Sequence, residues 1–402
     1  MMAKPLVLPN EWKTVKLGTL FANRTEANCH DLELLSVTGT RGIIPRSMIG
    51  GKDNSNEDKS KYLKVCVGDI AYNTMRMWQG VSALSAYEGI VSPAYTVLKA
   101  TDGVHTDYFR HLFKTPRMIS KFYRWSQGLV DDQRSLKYHN FAIITETVPP
   151  FAEQRAIAEI LTAQDRLIET KMRLIETKKR QKRWMMERLL TGKARLPGFS
   201  GEWKRVKLGD VGSTYTGLSG KTKEDFGKGD ARFITYLNVC NNPIADASAV
   251  GKVEIDAKQN EVKYGDILFT TSSETPEEVG MSSVWLHAAE NVYLNSFCFG
   301  FRLSTELSSY YMAYMLRSSA VRAKITLLAQ GVSRYNISKT KLMEIAIPVP
   351  PLGEQTAIAE RLATADREIE LLTRELEQQK LIKKYLMQQL LTGKKRVKGA
   401  VE

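Results

Sequence analysis

The sequence predicts an α+β chain: two mixed α/β domains joined by two long helices, which pair inside the chain as an antiparallel coiled coil with a pseudo-twofold internal repeat. Three observations carry this reading. A frame of short motifs occurs twice, each frame closes with a long heptad-patterned stretch, and the segments between the frames diverge. Residues 1–150 and 196–350 are then the two α/β domains, and 151–195 and 351–402 the two helical spacers.

Glu11-Trp12-Lys13-Thr14-Val15-Lys16-Leu17-Gly18 returns as Glu202-Trp203-Lys204-Arg205-Val206-Lys207-Leu208-Gly209 and opens each copy. Within the domains, Gly68-Asp69-Ile70 and Gly265-Asp266-Ile267 read as a turn feeding a buried strand, and Tyr108–Tyr123 and Tyr310–Ile325 as helices. Ile143–Val148 and Ile345–Val349 are exit strands leading to Pro149-Pro150 and Pro350-Pro351. Glu153-Gln154 and Glu354-Gln355 follow at the helix starts, where an acid favours the helix dipole; partner docking is the alternative use for them.

Proline cannot continue a helix, so each long helix begins after its Pro-Pro pair. In the first, Ile157, Leu161, Ile168, Ile175, Met185 and Leu189 form one seam, and Leu167-Ile168-Glu169-Thr170-Lys171 repeats seven residues on as Leu174-Ile175-Glu176-Thr177-Lys178. In the second, Ile358, Leu362, Ala365, Ile369, Leu372, Leu376, Gln379, Leu386 and Leu390 take the equivalent places. Gly192 and Gly393, inside the repeated Leu-Leu-Thr-Gly-Lys, stop both helices, and Arg195–Gly201 reads as a linker. Gln164, Lys171, Lys178 and Lys182 interrupt the first seam. A lysine there suits a partner helix that offers an acid, which favours pairing within one chain over a homodimer.

Of the 402 residues, 58 are Lys or Arg against 44 Asp or Glu, a formal charge of +14 that points to polyanionic partners, nucleic acid first. Cys29, Cys66, Cys240 and Cys298 are widely spaced, and the five histidines form no metal-binding pair, so neither disulfides nor a metal is expected. No apolar run spans a bilayer and Met1-Met2-Ala3-Lys4-Pro5 leads into no long apolar stretch, so a cytoplasmic location is expected.

Catalytic motifs are incomplete. Gly220-Lys221-Thr222 resembles the end of a phosphate-binding loop, but Tyr215 stands where its first glycine belongs. Gly227-Lys228-Gly229 lacks the third glycine of a dinucleotide turn, and Asp256 with Glu261-Val262-Lys263 has no counterpart in the first copy of a nuclease-like pattern. No adenine pocket or methyl-donor loop is present, so the chain is expected to bind rather than react, without a cofactor.

Two divergent domains, each followed by Pro-Pro-x-x-Glu-Gln, a long helix and Leu-Leu-Thr-Gly-Lys, resemble the specificity subunit of a type I restriction-modification system. The resemblance covers the whole chain. It implies that the α/β domains are target recognition domains, each reading half of a bipartite double-stranded DNA sequence. It implies further that the helices form a spacer recruiting two methyltransferase subunits, which restriction subunits join. The rival reading is a coiled-coil scaffold or adaptor without DNA readout.

Base readout needs donors and acceptors on loops. The first domain offers Asn73, Thr74, Arg76 and Gln79, and, between Gln127 and Tyr138, Gln127 itself, Arg134, Lys137 and Tyr138. The second offers Thr271, Ser272 and Ser273 at the equivalent place, then Gln330, Ser333, Arg334, Tyr335 and Asn336. Trp78 and Trp125 are expected to pack rather than stack on bases. The basic clusters Lys178-Lys179-Arg180, Lys182-Arg183, Lys383-Lys384 and Lys394-Lys395-Arg396 are candidate phosphate contacts. Trp184, Met185-Met186, Leu371 and Tyr385-Leu386-Met387 are apolar beyond the needs of one seam and suit partner helices.

Overall fold

The computed structural model describes residues 11–38, 42–50, 55–130 and 133–397. The chain divides into two compact units, residues 1–172 with 374–402, and residues 173–373, so each long helix contributes to both.

In the first unit, Lys13–Lys16 pairs antiparallel with the exit strand Thr145–Val148, bringing the opening motif to the end of the domain. The central antiparallel sheet runs in the order Phe21–Asn23, Tyr95–Ala100, Ile70–Asn73 and Ser82–Leu84. Helices Thr106–Leu112, Pro116–Trp125 and Tyr138–Ala142 cover it. Between them lies an aromatic core in which Phe21 meets Phe109 edge-on at 5.0 Å and Phe113 meets Phe122 at 5.5 Å. The single helix expected over Tyr108–Tyr123 is two: the Thr115 hydroxyl caps a new helix by accepting from the Met118 amide, and Pro116 takes its first turn.

The second unit repeats the plan. Lys204–Lys207 pairs with Ala346–Val349, and the sheet runs Gly212–Thr216, Cys298–Leu303, Ile267–Thr270, Ser282–Val284. Helices Ser309–Met315 and Ser319–Thr326 replace the one expected over Tyr310–Ile325, with Ser318 as the new cap. A three-stranded sheet of Val250–Val253, Phe226–Ile234 and Val292–Leu294 is added beside this frame.

The long helices run from Phe151 to Leu189 and from Leu352 to Leu390. In the first unit Gln164 donates to the Gln379 side chain at 2.8 Å, Lys171 reaches Glu375 at 2.6 Å and Lys383 reaches Asp165 at 2.5 Å. In the second, Lys178 meets Glu368 at 2.6 Å and Lys182 meets Asp366 at 2.5 Å. Partners fall in number along one helix as they rise along the other, so within each unit the pairing is antiparallel, and the seam lysines find acids across it. The basic clusters are thereby corrected as phosphate contacts at Lys178, Lys182 and Lys383, whose charges are neutralised within the helix pair.

The Glu-Gln pair in the first turn of each long helix is buried, which corrects the expectation of simple capping. Glu354 is fully buried and accepts from Arg195 at 2.5 and 2.6 Å and from the Trp203 indole at 3.1 Å. Glu153 accepts from Arg396 at 2.7 Å and from the Trp12 indole at 3.1 Å. Gln154 and Gln355 bridge backbone, the first to the amide of His105 and carbonyl of Pro149, the second to the amide of Ser308 and carbonyl of Pro350. These repeated residues clasp each domain to its helices. Burial also removes them from partner docking, and Arg195 and Arg396, read as linker and phosphate contact, are the other half of the clasp.

Met185 and Met186 pack against the core of the second unit, and Leu386 and Met387 against that of the first, so they too are inward-facing. Trp184, Leu371 and Tyr385 remain exposed.

Candidate nucleic-acid interface

In each domain the Asp of the Gly-Asp-Ile motif anchors the strand that leads to the first candidate loop. Asp69 accepts from the Arg24 guanidinium at 2.7 and 3.3 Å and from the Cys66 amide at 2.8 Å. Asp266 accepts from Arg302 at 2.8 and 2.6 Å, the Tyr215 hydroxyl at 2.6 Å and the Lys263 amide at 2.8 Å. The carboxylate beside it raises the Arg302 pKa, and burial raises that of Tyr215.

The strand then delivers its loop to the second candidate segment. In the first domain the Leu136 amide donates to the Thr74 carbonyl at 2.8 Å; in the second, the Ile337 amide donates to the Thr271 carbonyl at 3.0 Å. The second segment is a small hairpin in both. Gln127 and Ser135 exchange amide–carbonyl bonds at 2.9 and 2.8 Å, and Gln330 and Asn336 do so at 3.0 and 2.8 Å. The glycine after each glutamine adopts φ +137° at Gly128 and +138° at Gly331. A Cβ there would lie 2.6 Å from the Gln133 carbonyl oxygen or 2.0 Å from that of Arg334, so the repeated Gln-Gly pair is a backbone requirement.

A cation from the helical layer fastens the far end of each first loop. Lys114 donates to the Gly80 carbonyl at 2.7 Å, and burial, helped by Lys383, pushes its pKa down to about 8. Arg322 donates to the carbonyls of Gly280 and Val279 at 2.7 Å and of Glu277 at 2.8 Å. Neither residue was among the sequence candidates, because a lysine or arginine inside a helical pattern carries no sign that it turns toward a loop.

The side chains of Arg76, Gln79, Gln127, Lys137, Gln330, Ser333 and Asn336 are exposed and make no hydrogen bond or ion pair among the described residues. Arg334 is exposed with its guanidinium 5.8 Å from the Phe297 ring centroid. Arg134 lies 4.0 Å over the Tyr123 ring and donates to the Tyr123 hydroxyl. Other candidates turn inward. Asn73 accepts from the Met75 amide, Thr74 donates to the Ala94 carbonyl, and the Tyr138 hydroxyl donates to the Phe21 carbonyl at 2.7 Å. Ser272 and Ser273 are buried in a strand paired with Tyr335–Asn336, where Ser273 donates to Glu278, and Tyr335 packs against the core. Thr271 is half-buried. Asp131 and Asp132, within the segment from Gln127 to Tyr138, lie outside the described residues.

Trp78 packs edge-on against Tyr123, and Trp125 is 44% exposed. Lys221 pairs with Asp256 at 2.8 Å, which gives both motif remnants a structural partner. Among the described residues no group of His, Cys, Asp and Glu could hold a metal, and no helix is long and apolar enough to cross a membrane.

Residues 200–381 match the family model described as type I restriction modification DNA specificity domain. The chain is 27% identical to the type I restriction enzyme MjaVIII specificity subunit of Methanocaldococcus jannaschii, covering 98% of this chain and 95% of that protein. The EcoKI specificity subunit of Escherichia coli is 33% identical over 128 residues, 32% of this chain and 27% of its own. The fold is shared with the HsdS subunit of Thermoanaerobacter tengcongensis (TM-score 0.51, 18% identity, 98% of this chain and 100% of that one). It is shared too with the type I S subunit of M. genitalium (TM-score 0.57, 13% identity, 97% of each chain). The family model thus falls on the second half of the duplicated scaffold, the half that carries the second polar loop pair. The chain is similar over 98% of its length to a specificity subunit of a type I restriction enzyme, and it shares the fold of such subunits.

Proposed function

We propose that the chain reads a bipartite, asymmetric DNA target, one half-site per domain, and recruits methyltransferase subunits, two per chain, which restriction subunits join. Residues 1–150 and 196–350 are the target recognition domains in this reading, and 151–195 and 351–402 the spacer helices. The observation that carries it is the pairing of loops: one backbone hydrogen bond, Leu136 to Thr74 and Ile337 to Thr271, joins the two candidate segments in each domain. Equal scaffolding under unequal side chains is what readers of two different sequences require. Arg76, Gln79, Gln127 and Lys137 supply the donors and acceptors of the first reader, and Gln330, Ser333, Arg334 and Asn336 those of the second. Asn73, Thr74, Arg134, Tyr138, Thr271, Ser272, Ser273 and Tyr335 hold the loops in shape. The exposed Trp184, Leu371 and Tyr385 are offered to the methyltransferase subunits, and the complex works in the cytoplasm, where its DNA lies.

The test uses duplexes selected from a randomised pool by the full chain. Arg76→Ala is expected to weaken binding to the selected duplex by about 1–3 kcal/mol and to relax sequence preference in one half-site only, and Arg334→Ala in the other. A loss equal on all duplexes marks a phosphate contact instead, and a pool that yields no preferred sequence favours the scaffold reading.

A further inference from the structure

The two hairpin tips carry largely exposed aliphatic side chains. Leu129 is 96% exposed and Val332 94% exposed, each directly following the left-handed glycine of its hairpin, Gly128 or Gly331. Val130, 55% exposed, extends the first tip. A single exposed aliphatic side chain is ordinary, and Leu327 is 85% exposed too; what sets Leu129 and Val332 apart is that they stand at the same place in the two domains, each after its hairpin glycine.

The scaffold beneath each tip is built with care. Two backbone bonds close the hairpin at Gln127–Ser135 and at Gln330–Asn336, and the glycine takes a backbone shape in which a Cβ would strike a carbonyl. This fixes the direction in which the next residue projects. Behind each tip a guanidinium is steadied against a ring, Arg134 on Tyr123 and Arg334 on Phe297. An aliphatic point backed by a cation suits a stacked, anionic polymer, the point entering the stack while the cation stays in the groove beside it.

The comparison between the domains decides what the tip does. Apart from the glutamine before each glycine and the arginine behind each tip, the polar candidates differ from one domain to the other, as readers of different half-sites must, whereas both tips present an aliphatic side chain after a glycine. A feature common to both domains serves a need common to both half-sites, and an aliphatic side chain has no donor or acceptor with which to read a base edge. We propose that Leu129 and Val332 are wedges, each inserted at one base step of the half-site that its domain reads and partly unstacking it. The proposal rests on the reading of the chain as a two-site DNA binder.

The experiment uses the full chain and the duplex it selects from the randomised pool, resynthesised with 2-aminopurine in place of each adenine in turn, since that base brightens when unstacked. Wild-type binding is expected to raise the fluorescence at a step in each half-site. Leu129→Ser is expected to abolish the rise in one half-site and Val332→Ser in the other, with unchanged thermal melting because both side chains are exposed. Each variant is expected to bind the intact duplex at least about tenfold more weakly, and to recover most of that loss on a duplex with an abasic position opposite the affected step, where the unstacking is already done. A wild-type chain that prefers its selected duplex but brightens no probe overturns the wedge and leaves the two-site reading standing. So does a variant that loses as much affinity on the abasic duplex as on the intact one. A wild-type chain with no sequence preference overturns both.

Discussion

Replacing Gly331 by alanine places a Cβ 2.0 Å from the Arg334 carbonyl oxygen and 2.9 Å from its carbon, in a residue whose φ is +138°. The obstacle is the backbone at Arg334, so no side-chain rotation relieves it. A non-glycine residue held in such a region costs about 1–3 kcal/mol. The hairpin responds by leaving its native shape, and because Val332, Ser333 and Arg334 are exposed, that change is not transmitted to the core. Apparent affinity is multiplied by the fraction of chains still in the competent shape, so DNA binding is expected to weaken by about 5- to 150-fold. Fluorescence anisotropy with the selected duplex measures this, and thermal melting of the same sample checks that the fold is intact. Gly128→Ala, whose Cβ would lie 2.6 Å from the Gln133 carbonyl oxygen, is the matched variant for the other half-site. Affinity within about twofold of wild type for both variants would refute the claim that these hairpins are preorganised readers.

Two further outcomes follow from the helix pair and the domain core. Lys182→Glu sets two acids together at Asp366 and is expected to lower the melting midpoint; adding Asp366→Lys should recover it, with a coupling of about 0.2–1 kcal/mol in a double-mutant cycle, and additive losses would deny the cross-helix pair. His111 is 3% exposed, and burial, reinforced by Arg110 and Lys383 and opposed by Asp165, pushes its pKa down to about 3. The unfolded chain therefore takes up a proton near pH 6.5 that the folded chain refuses, and stability drains away as pH falls from about 6.5 toward 3, by up to about 1.4 kcal/mol per pH unit. Hydrogen exchange in helix Thr106–Leu112 should accelerate over that window in the wild type and markedly less in His111→Gln; equal acceleration would show that other groups carry the acid sensitivity.

The long helices were legible because repetition and heptad spacing are local signals, and the same holds for the exit strands before Pro149-Pro150 and Pro350-Pro351. The clasp was not. Glu153 and its partners Trp12 and Arg396 are separated by 141 and 243 residues, and nothing in the neighbourhood of Glu153 distinguishes a buried acceptor from a cap. The seam lysines pointed to acids opposite, but which acids depends on the antiparallel register, which periodicity alone leaves open. The broken helices were readable in hindsight from Thr115-Pro116 and from the cap residue Ser318, where capping competes with apolar spacing and wins. In the reading loops, residue type suggested polarity correctly, yet burial divided Ser272 and Ser273 from Ser333, a distinction set by strand pairing rather than by composition.

The clasp orders events during synthesis. The second unit is one continuous stretch, residues 173–373, whereas the first is interrupted by it and finished by residues 374–402. A ribosome has released the whole amino-terminal domain long before Arg396 exists to neutralise Glu153, and before Leu390 and Leu391 exist to fill the core beside Ile157 and Leu161. Until then a carboxylate destined for the interior stays hydrated and an apolar seam stays open. The later domain is thus the first able to close, and a chain that stops before Leu390 has the elements of one finished domain and lacks those that complete the other.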